Sequence, residues 1–366
     1  MFKVTQGYVL PECRHSAFSV SSALSDKVRA LSLALILLVV YLHVDFPEGM
    51  AFVVPLALRT MLVGVFGPVA VPLFYMISGY FFFQTAKDIE GVLANMYKRV
   101  NTLLIPFVIG ALVYPLFFLA VENIPFAVPY LNKIYYTSQF RDLSFIELSR
   151  SIFIVDRNNM PWAFHLWFLR DLLVIVLCSP LLYYLRRVLG LWSLLPLLVM
   201  IFIVPNLSFV SGAFYFVFGS LFLPFLSFSK SIVFPFLFLL FVVRRLLGLE
   251  FGCEDNVGIV LIISEVLLGS VTLWQLFDRI VPANFILSKY KSLSVMCRYT
   301  FFIYLFHVPA VQIIFKTMLI ILGNNALGYT VAFLISPLAI AMALVGLGVL
   351  LRAYVPKFYI LLSGGR

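Results

Sequence analysis

Three of the four histidines in this chain lie inside or at the end of apolar stretches long enough to cross a membrane. They are His43, His165 and His307. A histidine in or near hydrocarbon costs free energy unless it has a partner or lines a wet cavity, so each is a candidate functional group. An imidazole also accepts a proton readily near neutral pH. These residues therefore predict proton-transfer chemistry in or beside a membrane.

The first apolar stretch carries its polar residues on one side of the predicted helix. Arg29, Ser32 and His43 fall within about 40° of one another at about 100° per residue. Arg29 is expected about 21 Å from His43 along the helix axis. Two interpretations stay open, because the pair is either functional or consists of a cytoplasmic anchor and a capping residue.

Polar residues also interrupt the second and fourth apolar stretches. Ser78 follows Pro68 and Pro72, where a role in close helix packing is favoured over a role as nucleophile. His165 and Trp167 stand at the start of the fourth stretch. Tryptophan there is usually an interface residue. Alternatively, the two residues line an outward-facing cleft, since aromatic rings stack on sugar faces.

The last candidates lie in the eighth and ninth apolar stretches. His307 comes two residues before Pro309, beside a carbonyl freed by the proline, so a structural hydrogen bond and a functional role are equally open. Glu265 is a lone acid in apolar surroundings. Its expected partner is Arg170 or Lys316, because a buried charge needs an opposite charge or water.

Composition defines the class of protein. Hydrophobic residues make up 63% of the 366 residues and charged residues 11%, too few charges for a soluble domain of this length. The apolar runs show no period-two alternation, which predicts helices rather than a barrel. The net charge of +10 is spread among the loops and does not indicate nucleic-acid binding. The four scattered cysteines predict neither a metal site nor a disulfide framework.

We therefore predict an all-α, polytopic transmembrane helical bundle with about ten spans and both termini cytoplasmic, as the distribution of Lys and Arg favours. The predicted spans lie near 28–46, 61–83, 102–121, 164–185, 189–206, 208–227, 231–249, 257–276, 299–320 and 327–350. Arg244 and Arg245, near the outer end of the seventh span, fit this topology poorly. His43 and His165 are expected near the outer face and His307 in the cytoplasmic half of its span. The three need not share one site.

The order of five short motifs carries a resemblance to a known family. They are an apolar run ending in histidine at 37–43, Phe-x-x-x-Ser-Gly-Tyr at 74–80, a basic pair leading to Leu-Ile-Pro at 98–106, His-x-Trp-Phe-Leu at 165–169 and Tyr-Leu-x-His at 304–307. From about 25 to 350 the chain resembles the acyltransferase 3 family of bacterial inner-membrane O-acyltransferases. The family usually has arginine where this chain has Ser32. Arg29, one turn earlier on the same stripe, is the expected substitute.

The resemblance implies a division of the chain and a reaction. A cytoplasmic segment is expected over 1–25, an acyltransferase 3-like transmembrane domain over 26–352 and a cytoplasmic tail over 353–366. The family transfers an acyl group, commonly acetyl from cytoplasmic acetyl-CoA, to a hydroxyl of a cell-surface glycan or its lipid-linked precursor. No bound cofactor is implied, since acyl-CoA is the donor substrate.

Roles for the candidate residues follow from this reaction. His43 is the expected general base, or a transient carrier of the acyl group, because an attacking hydroxyl must lose its proton. Cationic side chains pair well with phosphate, so Arg29, Lys98 and Arg99 are expected to bind coenzyme A. Substrate contacts are expected from His165, Trp167, His307 and Ser78.

Two other functions stay open at this point. A flippase or transporter for a lipid-linked glycan would need a continuous polar path and perhaps internal repeats, and the sequence shows no repeats. A glycan polymerase commonly has many spans and a large outer loop, which the long segment over 123–163 allows.

Overall fold

The computed structural model describes residues 22–121, 144–153, 161–226, 231–249, 256–281 and 285–365, and within these ranges it contains helices and no strand. Most of the predicted amino-terminal segment, and most of the outer segment over 123–163, lie outside the described residues. The α-helices are α1 (Ser22–Leu42), α2 (Val53–Arg59), α3 (Gly67–Thr85), α4 (Ile89–Val121), α5 (Phe145–Ser151), α6 (Trp167–Leu177), α7 (Ser179–Leu189), α8 (Leu194–Ile203), α9 (Ser208–Leu226), α10 (Val233–Leu246), α11 (Asn256–Ile280), α12 (Lys291–Arg298), α13 (Thr300–Phe306), α14 (Ala310–Leu322), α15 (Ala326–Tyr354) and α16 (Pro356–Ser363).

Several helices are long and apolar enough to cross a membrane, which confirms a multi-pass helical architecture. Five qualify among the described residues, and the bent pair α13 and α14 would make six. The five are Val53–Thr85, Ile89–Val121, Ser179–Ile203, Asn256–Ile280 and Ala326–Tyr354. In α1, the first two turns contain Asp26, Lys27 and Arg29, and the helix is apolar only beyond them. The larger count of about ten spans stays a prediction.

Helices α3 and α9 pack with their backbones in direct contact. A side chain on Gly79 of α3 would place its Cβ 1.8 Å from the carbonyl oxygen of Phe216, and one on Gly219 of α9 would place it 2.1 Å from that of Met76. Such distances are impossible for real atoms, so the two backbones touch only because both residues are glycine. Small residues allow this approach between membrane helices. The contact supports the packing interpretation of the Ser78-Gly79 segment.

The predicted ninth span is broken. Helix α13 ends at Phe306 and α14 begins at Ala310, and their axes differ by 73°. The three residues between them are His307, Val308 and Pro309, joined by a cis bond before the proline. A proline cannot donate a backbone hydrogen bond and its ring clashes with the preceding turn, which ends the helix here. His307 therefore occupies a bend rather than a position within a continuous helix.

The prediction for the partner of Glu265 was wrong. The buried carboxylate accepts hydrogen bonds from Arg244 at 2.7 Å and Arg245 at 2.6 Å, both on the neighbouring helix α10. Arg170 instead pairs with the adjacent Asp171 at 2.8 Å. A charge in an apolar region pairs with the nearest opposite charge, and α10 packs directly against α11. This contact also explains why two arginines lie at an unexpected depth.

Candidate active site

The structure brings His43, His165 and His307 into one cluster. His43 directly follows α1, His165 lies in the short 3-10 helix before α6, and His307 lies in the bend between α13 and α14. The ring centroids of His43 and His307 are 5.0 Å apart, and those of His165 and His307 are 5.4 Å apart. The expected separation of His307 from the other two was wrong, because the bend carries it to their level.

Backbone carbonyls fix the protonation of two of these rings. The Nδ1 atom of His307 is 2.8 Å from the carbonyl oxygen of Tyr304, and the Nε2 atom of His165 is 3.2 Å from that of Leu305. A carbonyl only accepts, so each of these nitrogens carries the hydrogen. The opposite nitrogens, Nε2 of His307 and Nδ1 of His165, are buried and have no hydrogen-bond partner within the described ranges. Each neutral ring thus keeps an unused lone pair.

Other side chains hold the cluster in place from two helices. The Tyr304 hydroxyl of α13 donates to the carbonyl oxygen of His165 at 3.0 Å, so this tyrosine contacts two of the three histidines. From α14, the side-chain amide of Gln312 donates to the carbonyl oxygen of His43 at 2.7 Å and to the Asp45 carboxylate at 2.8 Å. These contacts fix the chain where α1 ends and orient His43.

A cavity of about 210 Å³ opens beside the cluster. Its polar lining consists of His43, His165, Trp167, Tyr75, Ser211, Tyr215 and Tyr304, and apolar residues of α1, α3 and α6 complete the wall. His307 does not belong to this lining and is fully buried behind it. Sites for drug-sized ligands are usually about 300–1,000 Å³. This cavity is smaller, which suits a single reacting group better than a whole large substrate.

The remaining predicted residues lie at different distances from the cavity. Trp167 lines it, whereas Ser78 is on α3 outside the lining. Arg29 is exposed near the start of α1, about 21 Å from His43 at the helical rise. Lys98 is exposed and Arg99 half-buried on the first part of α4. The structure therefore separates the cationic residues from the histidine cluster.

Sequence reasoning missed several residues of the site, among them Tyr75 and Gln312. Tyr75 is one of eighteen tyrosines in a chain rich in aromatic residues, and nothing in its spacing distinguishes it. Gln312 is a polar residue in the first turn of α14, in a segment predicted only as part of a span. A polar amide between two apolar turns was a usable signal for Gln312, because such a group needs a partner in the membrane.

The geometry favours base chemistry over the use of the Cys297 thiol. Among the described residues, no group of three His, Cys, Asp or Glu side chains could hold a metal ion. Cys297 lies near Arg29, yet burial raises the pKa of its thiol to about 11. The thiol is therefore protonated at neutral pH and a poor nucleophile. An imidazole with an unused lone pair beside a cavity can instead take a proton from an attacking hydroxyl.

Comparison with known proteins agrees with this chemistry. The family model described as an acyltransferase domain, that of the acyltransferase 3 family, matches residues 30–346. No curated protein and no solved structure gave a match. The matched region contains all three clustered histidines and every described helix from α2 to α14. It covers most of the chain, and together with the helical membrane architecture it shows a membrane acyltransferase. The chain belongs to the acyltransferase 3 family.

Proposed function

We propose that this protein is an O-acetyltransferase of the bacterial inner membrane. It would move an acetyl group from cytoplasmic acetyl-CoA to a hydroxyl of a cell-surface polysaccharide, such as an O-antigen, a capsule or an exopolysaccharide, or of its lipid-linked precursor. The proposal includes a chain that crosses the membrane about ten times and has both termini in the cytoplasm. Family membership supports the acyl transfer, and the histidine cluster beside a cavity supports a hydroxyl as the acceptor.

The observation that carries the proposal is the position of His43 between the cavity and His307. His43 lines the cavity, and His307 lies behind it with Nδ1 committed to the Tyr304 carbonyl and Nε2 unused. His43 acts as general base on the acceptor hydroxyl. His307 then stabilises the protonated His43, since a neutral ring with a free lone pair can accept a hydrogen bond from it.

The cationic residues are suited to bind the phosphate-bearing end of the acetyl-CoA donor. Arg29, Lys98 and Arg99 bind the phosphates of coenzyme A at the cytoplasmic boundary, where charge-assisted hydrogen bonds to phosphate are strong. The pantetheine arm then extends along α1 to the cavity. The length of the donor thus accounts for the distance between these cationic residues and the histidines. Arg29 takes the role for which the family uses an arginine at the position of Ser32.

Acceptor contacts come from the outer side of the cavity. His165 and Trp167 line the wall at the start of α6 and hold the acceptor, the tryptophan by stacking on a sugar face. His307 acts on the acceptor through His43. Ser78 affects the substrate only indirectly. It stands next to Gly79, which makes the contact between α3 and α9.

Mass analysis of surface polysaccharide tests this function. Cells producing the wild-type protein should carry one additional acetyl mass on each modified repeat unit, and cells producing His43→Ala should lack it at equal protein level. His15→Ala, which changes the histidine outside the apolar stretches, is the matched control and should leave the acetyl mass in place. A change in chain length, or an absent polymer, would support a polymerase or a flippase instead.

A further inference from the structure

Tyr75 is held rigidly in the wall of the cavity. Its ring packs on Phe168 with centroids 4.8 Å apart. On the other side it packs against the backbone of α9, where a Cβ on Gly212 would come within 2.9 Å of the tyrosine Cζ atom. The ring therefore occupies the space that a side chain at position 212 would need. Packing on two sides leaves the hydroxyl little freedom to move.

The hydroxyl of Tyr75 has no internal partner. Its oxygen is buried and makes no hydrogen bond to any residue that the structure describes, although Tyr75 lines the cavity. Asp171 is nearby, but its carboxylate accepts from Arg170 and the Ser208 hydroxyl and makes no hydrogen bond to Tyr75. A buried hydroxyl without a hydrogen-bond partner costs free energy. A ligand in the cavity would remove that cost.

The chemistry of acyl transfer indicates which ligand atom would accept a hydrogen bond from this hydroxyl. When a hydroxyl attacks a thioester, negative charge develops on the carbonyl oxygen. A fixed neutral donor aimed at that oxygen stabilises the transition state more than the ground state. A tyrosine hydroxyl carries its proton at neutral pH and can donate it in a hydrogen bond. Of the other three cavity hydroxyls, those of Ser211 and Tyr304 already donate to backbone carbonyls, which leaves that of Tyr215 beside that of Tyr75.

We propose that Tyr75 is the oxyanion donor of the transfer reaction, an inference that rests on the proposed function. The acceptor oxygen bonds to the thioester carbon, the carbonyl electron pair moves to its oxygen, and the acceptor proton passes to His43. The Tyr75 hydroxyl donates to the resulting oxyanion. When the carbonyl re-forms, the carbon–sulfur bond breaks and the sulfur leaves as coenzyme A, with the proton returned from His43.

Tyr75→Phe tests the proposal because it removes only the hydroxyl. Inverted membrane vesicles from cells that make the polysaccharide are supplied with acetyl-labelled acetyl-CoA, and label in the polysaccharide is measured against donor concentration. The maximal rate should fall about 100-fold or more. The KM for acetyl-CoA should stay unchanged, because the donor is held mainly through the phosphates of coenzyme A, away from Tyr75. Tyr80→Phe, the same change on the same helix outside the cavity, should retain the wild-type rate.

Two further measurements make the result decisive. The release of coenzyme A with water as the acceptor should fall by the same factor in Tyr75→Phe, since the same oxyanion forms. Gly212→Ala should also lower the rate, because it displaces the ring while keeping the hydroxyl. Full transfer by Tyr75→Phe, or a loss of transfer with unchanged release to water, would overturn the oxyanion role. Wild-type vesicles that transfer no label would instead overturn the proposed function itself.

Discussion

The imidazole ring of His307 lies 5.0 Å from that of His43, with His43 lining a cavity and His307 fully buried behind it. This order assigns the two residues different tasks. The histidine at the cavity can reach a substrate, whereas the buried one can only act on its neighbour. Helix α13 packs against α1, and His307 lies in the bend that directly follows α13.

The first prediction separates the two nitrogens of His307. His307→Asn keeps an N–H near the position of Nδ1, where it can donate to the Tyr304 carbonyl, but removes the lone pair at Nε2. His307→Gln keeps a polar group nearer to Nε2 and loses the bond to Tyr304. We expect both variants to lose transfer of labelled acetyl, with His307→Asn nearer to the wild-type melting temperature. Normal transfer by His307→Asn would remove the proposed role of Nε2.

The second prediction concerns the contact between Gln312 and the backbone of His43. Gln312→Leu removes donors to the His43 carbonyl and the Asp45 carboxylate. Each lost hydrogen bond of this kind costs about 0.5–1.5 kcal/mol net, so the melting temperature should fall modestly. The transfer rate should fall by more than the loss of folded protein accounts for, because His43 is no longer oriented. Thr317→Val, on the exposed side of the same helix, is the control. A variant that is destabilised but has normal turnover would limit Gln312 to a structural role.

The third prediction tests the ion cluster of Glu265 with Arg244 and Arg245. Glu265→Gln leaves two half-buried cations without their shared buried carboxylate, and the cost of about 3–5 kcal/mol for breaking a fully buried pair is the upper limit here. Arg245→Gln should cost less, because Glu265 keeps Arg244 as a partner. The melting temperatures of the two purified variants in detergent give the comparison. Equal decreases in melting temperature, or a larger decrease for Arg245→Gln, would contradict the role of Glu265 as the shared partner of both arginines.

The fourth prediction addresses the contact between α3 and α9. Gly79→Ala places a methyl group against the Phe216 carbonyl and must push the two helices apart. We expect little folded protein in the membrane. Gly346→Ala, where the added Cβ meets nothing within 4 Å, should accumulate as the wild type does. Quantifying both proteins in membrane extracts tests this, and normal levels of Gly79→Ala would mean that the two backbones are further apart.

Sequence reasoning predicted the helical class and selected His43, which the structure places in the cavity lining, because apolar length and a polar stripe are local properties. It failed where the answer depended on how helices meet. The bend at Pro309 was hidden because the apolar run continues on both sides of it, so His307 was placed at the wrong depth. The partner of Glu265 was missed for a similar reason, since the choice depends on which helix is its neighbour.

The most direct measurement of the central claim is the transfer of label from acetyl-CoA to polysaccharide in inverted vesicles that contain His43→Ala. The wild-type protein and His15→Ala set the reference rate, and the amounts of protein are matched by immunoblot. We predict that His43→Ala transfers no label above vesicles that lack the protein, because the acceptor hydroxyl has no base. Transfer at the wild-type rate would contradict the account, and the base would then have to be another residue.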